Sequence, residues 1–162
     1  MNDTPRRIAP DDIDAIAALA RQVWQATYPP LISQAQIDHM LAERYAAERM
    51  HDQLADPLHA WWIAGAPAAG FAHAHLDGPV CKLDKLYVRP DRQRHGLGAA
   101  LLAAAVDWAR MQGMARMRLQ VNRGNAQAIR AYRKYGFAVV ESRIFDIGNG
   151  FVMDDHVMEL PL

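Results

Sequence analysis

Leu86-Tyr-Val-Arg-Pro-Asp-Arg-Gln-Arg-His-Gly-Leu-Gly-Ala-Ala-Leu-Leu102 decides how the rest of the chain is arranged. A short apolar strand stops at Pro90, the chain crosses a basic loop, and a helix begins at Gly96 and Gly98. The first N–H groups of a helix have no intrahelical acceptor, and the helix dipole places positive potential on them. Glycines there let a ligand approach the main chain without meeting a Cβ. Flanked by Arg89, Arg92, Arg94 and His95, the loop is an anion site suited to phosphate. Two familiar glycine-loop patterns fail on it. A dinucleotide fingerprint requires a third glycine where Leu101 stands, and the next strand ends at Val121-Asn122 without a ribose-binding acid. A nucleotide P-loop requires Gly-Lys followed by Ser or Thr, which the chain lacks. A diphosphate cradle over Gln93-x-x-Gly96-x-Gly98 remains.

Working outward, Val80 to Val88 alternates and is the strand that feeds the loop. His59 to Ala64 and Gly70 to Leu76 read as an antiparallel pair around Gly65-Ala-Pro67. Beyond the loop, Leu97 to Gln112 is helical, with Leu97, Leu101, Ala105 and Trp108 or Ala109 on the buried face and Gly113 as terminator. Met117 to Val121 is a strand and Asn125 to Tyr135 a helix ended by Gly136. Phe137 to Ile147 and Phe151 to Leu160 form a closing hairpin around Gly148-Asn-Gly150. At the N-terminus, Arg6-Arg-Ile8 is a short strand. The helix after Pro10, with Asp11 as N-cap, carries Ile13, Ile16, Ala17, Ala20, Trp24 and Thr27 on one face and ends at Tyr28-Pro-Pro30. Ser33 caps a second helix through about Leu41, and a third runs from Tyr45 to Leu54. No repeat or linker divides the 162 residues, so the expectation is a single α+β domain over 1–162 with a mixed, mainly antiparallel sheet.

Half the residues are hydrophobic, which excludes a disordered chain. The net charge of zero hides an asymmetry. Between Lys82 and Lys134, twelve Lys or Arg face three acids, a surplus of nine; elsewhere six face fifteen, a deficit of nine. Either both blocks are solvated faces, or the centre meets an anion while the flanks present carboxylates to a cation. Overall neutrality, and aromatics not interleaved with the basic block, argue against nucleic acid. The single cysteine, Cys81, excludes an internal disulfide and reads as a small packing residue. The first residues show no apolar leader and no run is long enough to span a membrane, so a cytoplasmic location is expected. His73 and His75 share a strand face at a spacing that permits a metal pair, but no third ligand is evident and no metal is expected.

The loop together with a second block resembles the GNAT superfamily of acyl-CoA-dependent N-acyltransferases. Leu86-Tyr-Val-Arg-Pro90 and Gln93 to Gly98 match the strand, proline and glycine-loop signature. Val121-Asn-Arg-Gly-Asn-Ala-Gln-Ala-Ile-Arg-Ala-Tyr-Arg-Lys-Tyr-Gly-Phe137 is similar to the family's Asn, Tyr and Gly-Phe pattern at the expected distance. Trp24 to Tyr28, Lys82 to Tyr87 and Gly148 to Asp155 further resemble a bacterial branch that includes spermidine/spermine N-acetyltransferases. The resemblance implies a GNAT-like twisted sheet flanked by helices on both faces, acetyl-CoA as acetyl donor, and direct transfer in a ternary complex. It also implies a small-molecule amine acceptor, which the narrower branch makes polyamine-like. Acetylation of a protein or peptide amine and a non-catalytic acyl-CoA sensor are the alternatives, and a homodimer is left open.

Site residues follow from that resemblance. Backbone N–H groups of Arg94, His95, Gly96, Leu97, Gly98 and Ala99 are the expected diphosphate donors, and main chain of Leu86, Tyr87 and Val88 the expected partner of the pantetheine arm. Arg89, Arg92, or the group Arg130, Arg133 and Lys134 would meet an outer phosphate, against ordinary solvated surface for each. Tyr132, two helical turns after Asn125, is the expected general acid for the leaving thiolate; without the resemblance it would be a packed aromatic. Asn125 is a cofactor ligand or the N-cap of its own helix. Asp84 is the candidate base, or else one half of a surface cross-strand salt bridge. Tyr28, Asp154 and Asp155 are candidates for the acceptor pocket; the two aspartates are consecutive on a strand, so at most one faces it. Glu159 is a weaker candidate.

Overall fold

The computed structural model describes residues 3–162. Seven strands form one sheet in the order β1-β2-β3-β4-β5-β7-β6, where β1 is Arg6–Arg7, β2 His59–Ala64, β3 Gly70–Asp77, β4 Val80–Val88, β5 Arg116–Asn122, β6 Ala138–Gly148 and β7 Phe151–Pro161. All neighbouring pairs are antiparallel except β4 with β5, which the helix α4, Leu97–Met111, connects as a parallel crossover. Helices α1 (Ile13–Thr27), α2 (Gln34–Arg44) and α3 (Ala47–Ala55) cover one face, and α4 with α5 (Ala126–Tyr135) the other.

Strand alternation sorts β2 between two cores. Ala60, Trp62 and Ala64 pack with Leu101, Ala105 and Ala109 of α4, while Trp61 and Ile63 pack with Ile16, Trp24 and Met50 from the helical layer. Covered on both sides, this antiparallel strand is continuously apolar from Ala60 to Ala64 rather than alternating with polar residues. The mixed, mainly antiparallel sheet with helices on both faces is as expected.

Two local expectations change. Asp11 does not cap the first helix: Asp12 does the equivalent work, its Oδ2 accepting from the Ala9 N–H at 2.8 Å while Arg6 donates to both carboxylate oxygens. A 3-10 turn over Pro10–Asp12 shifts the start of α1 to Ile13. Ser33 does cap α2, its Oγ accepting from the Gln36 N–H at 3.1 Å, but the helix runs on to Arg44 instead of ending near Leu41. That extra turn matters, because it delivers Arg44 to the site.

The feature that makes a site is a missing ladder. β4 and β5 are paired only from Val80 to Lys82 against Arg116 to Arg118. Beyond that the strands part, and β5 stays in the sheet through β7 as far as Asn122. On β4, the pairing with β3 slips between His73 and Ala74, opposite Leu83 and Lys85. Asp84 is therefore an extra, bulged residue, and its side chain reaches the helical-layer face occupied by Lys85 and His73.

Candidate active site

A cavity of about 1250 Å³ fills the gap where β4 and β5 part. One end is walled by Val88, Gln93, Gly96, Gly98 and Tyr132, the other by Trp24, Tyr28, Arg44, Asp84 and Asp155. Of the residues expected from sequence, Tyr28, Asp84, Leu86, Tyr87, Val88, Arg94, Gly96, Gly98, Ala99, Asn125, Tyr132 and Asp155 line it. Leu97 has its side chain in the core under α4, and His95 is exposed on the loop. Asp154 points away and pairs with Arg123 at 3.4 Å, while Asp155 is buried, so the opposite-face argument correctly leaves one aspartate on the cavity. Glu159 lies elsewhere, in an ion pair with Arg118 at 2.7 Å.

At the loop end, Arg94 (φ 65°) and Gly96 (φ 82°) take left-handed backbone, and no side chain among the described residues caps α4. The first N–H groups of that helix thus border the cavity uncapped. Gln93 donates to the Val88 carbonyl at 3.1 Å, which gives that carbonyl one partner at the rim of the cavity. Arg89 is held by Asp91 and Arg92 by Asp3, whereas Lys134 lines the cavity. Asn125 is the N-cap of α5: its Oδ1 accepts from the Ala128 N–H at 3.3 Å, leaving the amide NH₂ for any ligand. Tyr132 packs edge-on to Phe137 at 5.6 Å, and burial pushes its phenol up from its ordinary value. The hydroxyl stays protonated through the neutral range, the form a proton donor needs.

At the other end, aromatic rings and charges converge. Trp24 packs at 4.5 Å from Tyr28 and 5.9 Å from Tyr87, and the Tyr28 and Tyr87 hydroxyls are hydrogen-bonded at 3.0 Å. Asp84 is not the surface salt bridge that strand spacing allows. Its Oδ2 accepts from Lys85 at 2.6 Å and from Arg44 at 3.3 Å, and lies 3.4 Å from His73 Nδ1. Burial alone would raise its pKa, but Lys85 and Arg44 outweigh that and hold the carboxyl well below its usual range. Burial pushes the Lys85 ammonium down, against the pull of Asp84. Asp155 has no such partner: its Oδ1 is buried without a hydrogen bond among the described residues, and burial, reinforced by Asp154, pushes its pKa up to about 6. Cys81 is buried and its thiol is pushed up to about 12, which disfavours a thiolate nucleophile.

Sequence reasoning missed Arg44 and Lys85. Arg44 sits at the end of a helix with little amphipathic signal, and only the parted strands expose it to the cavity. Lys85 was hidden by the bulge, since regular alternation puts it on the opposite face from Asp84.

Residues 17–137 match the family model for GNAT acetyltransferases. Among curated proteins, the chain is 25% identical over 155 residues to a spermidine N(1)-acetyltransferase of Thermoplasma acidophilum, covering 92% of this chain and 94% of that one. It is 27% identical over 147 residues to an aminoglycoside N(6')-acetyltransferase of Serratia marcescens, covering 83% and 91%. Among solved structures, the PaiA N-acetyltransferase of T. acidophilum in complex with coenzyme A superposes with a TM-score of 0.86 at 24% identity over 100% of both chains. The twisted sheet with helices on both faces is thus the fold of known N-acetyltransferases.

Proposed function

The chain belongs to the GNAT family of acetyltransferases, and from that membership we propose that it moves the acetyl group of acetyl-CoA directly onto the primary amine of a small molecule. The observation that carries this reading is continuity: one cavity joins the uncapped start of α4 and Tyr132 to the half-buried carboxylate of Asp84 and the buried one of Asp155. Donor and acceptor can therefore meet without a covalent enzyme intermediate, and the inert Cys81 removes the obvious nucleophile for one.

The Arg94–Ala99 main chain binds the diphosphate, the unpaired edge of Leu86 and Tyr87 lies along the pantetheine arm, and the Asn125 amide and Lys134 complete the donor end. When the amine attacks the thioester carbonyl, the C–N bond forms, the C–S bond breaks, Tyr132 gives its phenolic proton to the departing sulfur, and the proton then shed by the acetylated nitrogen restores the phenol. The acceptor arrives as an ammonium with a pKa near 10 and must lose a proton first. Asp84 alone is a poor acceptor for it, because its carboxylate is stabilised by Lys85 and Arg44. The accepting group is instead the neutral form of Lys85, which burial makes accessible by pushing its ammonium down to about 8: the proton enters at the Asp84 carboxylate on the cavity wall and passes to the amine 2.6 Å behind it.

The acceptor end also bears on substrate class. With Asp84 neutralised, Asp155 is the carboxylate of the lining left to pair with an ammonium, beside the Trp24, Tyr28 and Tyr87 rings. This suits an acceptor that presents one ammonium at depth. A polyamine-like chain, supported by the likeness to the spermidine enzyme, fits if its further amines stay towards solvent, away from Arg44 and Lys82. The test is thiol release from acetyl-CoA by the purified protein with a panel of monoamine, diamine, spermidine, aminoglycoside and a short peptide. Release with a small amine is expected. Release with the peptide alone moves the acceptor class, and stabilisation against heat by acetyl-CoA with no turnover leaves a binding module.

A further inference from the structure

The acceptor end of the cavity carries more positive charge than negative. Arg44, Lys82 and Lys85 line it against Asp84 and Asp155, a surplus of one cation when all five are ionised. Asp84 draws all three cations: its Oδ2 takes Lys85 at 2.6 Å and Arg44 at 3.3 Å, and its Oδ1 lies 3.7 Å from Lys82. Asp155 stands apart from them, its Oδ1 buried without a hydrogen bond among the described residues. An acceptor that brings only ammonium groups answers Asp155 but adds to the surplus. One that brings an anion as well answers both.

Arg44 is the cation with donors to spare. Its Nη2 donates to the Asp84 carbonyl at 2.9 Å and to the Asp84 carboxylate at 3.3 Å, whereas Nε and Nη1 donate to nothing among the described residues, and Nε is buried in that state. A guanidinium keeps its charge at every physiological pH, so donors left unused at a cavity wall suit an oxyanion. The group is also held in place. Asp84 fixes one side, the Trp24 ring lies 5.9 Å from its Cζ, and the next residue, Tyr45, is packed against Trp61 and Phe71. The other two cations are less suited. Lys85 is 4% exposed and turned to Asp84 and His73, and Lys82 also lines a smaller groove that holds Asp77, Glu141 and Glu159, so it has other carboxylates to face.

We propose that the acceptor is a small amino acid in the broad sense, one molecule bearing a primary amine and a carboxylate, and that Arg44 selects it by binding the carboxylate while Asp155 receives the amine end. This rests on the N-acetyltransferase reading above and narrows its acceptor. Arg44 comes from the end of α2 and Asp155 from β7, and the Arg44 charge reaches the Asp155 carboxyl, which it pulls down against burial. The rings of Trp24, Tyr28 and Tyr87, with Met40 and Phe145, supply apolar wall for the carbon chain. The carboxylate takes no part in the transfer, so the C–N bond forms and the C–S bond breaks as described above. It does change the product. Once acetylated the nitrogen is neutral and no longer pairs with Asp155, whereas the carboxylate is still held at Arg44, so the N-acetyl amino acid remains a ligand.

Matched acceptors decide the matter: 4-aminobutyrate with butylamine, 6-aminohexanoate with hexylamine, and leucine with isoamylamine, all beside spermidine. At least one pair should favour the amino acid in kcat/KM by about ten- to hundredfold, the usual worth of a hydrogen bond to a charged group. Arg44→Gln should bring the ratio for that pair close to one, and Arg44→Lys should restore part of it. A merely structural role would lower both members of the pair alike, and comparing variant with wild type cancels any difference in amine basicity. Calorimetry on the wild type needs no variant to fold. Loaded with coenzyme A, it should bind the N-acetyl form of the preferred amino acid at least tenfold more tightly than the N-acetyl form of the paired amine. Amines turned over with no pair favouring the carboxylate, or spermidine ahead of every amino acid, overturns the inference and leaves the N-acetyltransferase reading standing. An unchanged ratio in folded Arg44→Gln overturns the assignment to Arg44, and turnover of no compound overturns both readings.

Discussion

At the α4 end the cavity is walled by main chain, with Gly96 and Gly98 keeping side chains out of the way, whereas at the helical-layer end it is walled by Trp24, Tyr28, Arg44, Asp84 and Asp155, drawn from α1, α2, β4, β7 and the turn after α1. A wall of backbone depends on one local motif and is indifferent to what the neighbouring side chains are. A wall of side chains depends on register, on a bulge and on where two strands part. The first is suited to a donor common to many reactions, and the second to an acceptor that differs among them. Tyr132 stands where the two meet, so its removal should separate them most sharply. Tyr132→Phe should lower kcat by roughly two to four orders of magnitude, the usual worth of a general acid, while leaving acetyl-CoA affinity and stability nearly unchanged. A steady-state assay beside a calorimetric titration checks this, and an affinity loss matching the kcat loss would place Tyr132 among the binding groups instead.

The acceptor end should reveal itself in stability. Asp84→Ala leaves the buried Lys85 and the partly exposed Arg44 without their carboxylate, and breaking a buried pair such as Asp84–Lys85 costs about 3–5 kcal/mol. The folded pKa of Asp84 is depressed, so its contribution is present in full above the unfolded value near 3.8 and is lost as pH falls through the lower folded value. Denaturant melts of wild type and variant should therefore differ widely at pH 7 and converge in acid. An equal gap at all pH values would mean that packing, not charge, is what Asp84 supplies.

Asp155 should behave in the opposite sense. Its folded pKa is raised from 3.8 to about 6, so the ionised form is disfavoured by folding and the wild type loses stability as pH rises through that interval. Asp155→Asn should stabilise the protein at pH 7 by at most about 3 kcal/mol, and hardly at all near pH 4. Its acceptor KM should rise while its acetyl-CoA affinity holds. A stabilised variant with unchanged acceptor KM would remove Asp155 from the binding of the amine.

The same contrast governs what is legible in the sequence. Gln93, Gly96 and Gly98, the break at Pro90 and the cap at Asn125 are local signals, and the strand and helix order around them follows from hydrophobic period. Asp84, Tyr28 and Asp155, which line the cavity, can be named from the sequence as candidates, but not their environment. The bulge that turns Asp84 onto the face of Lys85 leaves no composition signal, since a slip of one residue between His73 and Ala74 is set by pairing across strands. Arg44 is out of reach for a related reason: α2 continues past its expected end with Tyr45 buried against Trp61 and Phe71, a contact between residues distant in the chain.

The smallest effects sharpen the backbone wall. Gly96 has φ 82°, and a Cβ added there would meet no atom within 4 Å, so Gly96→Ala costs only the left-handed backbone, about 1–2 kcal/mol. Gly98 lies within α4, and a Cβ there would sit 3.6 Å from Val88 Cγ2, an unstrained contact. Gly98→Ala should leave the melting temperature within about a degree or two of wild type, or raise it slightly, because alanine is the better helix former by about 1 kcal/mol. Its Cβ would nonetheless stand in the cavity at the start of α4. Acetyl-CoA affinity that falls in Gly98→Ala without any loss of stability would mean that the diphosphate approaches the main chain there. If affinity follows stability in both variants, the loop contributes shape alone, and the donor is held by side chains as the acceptor is.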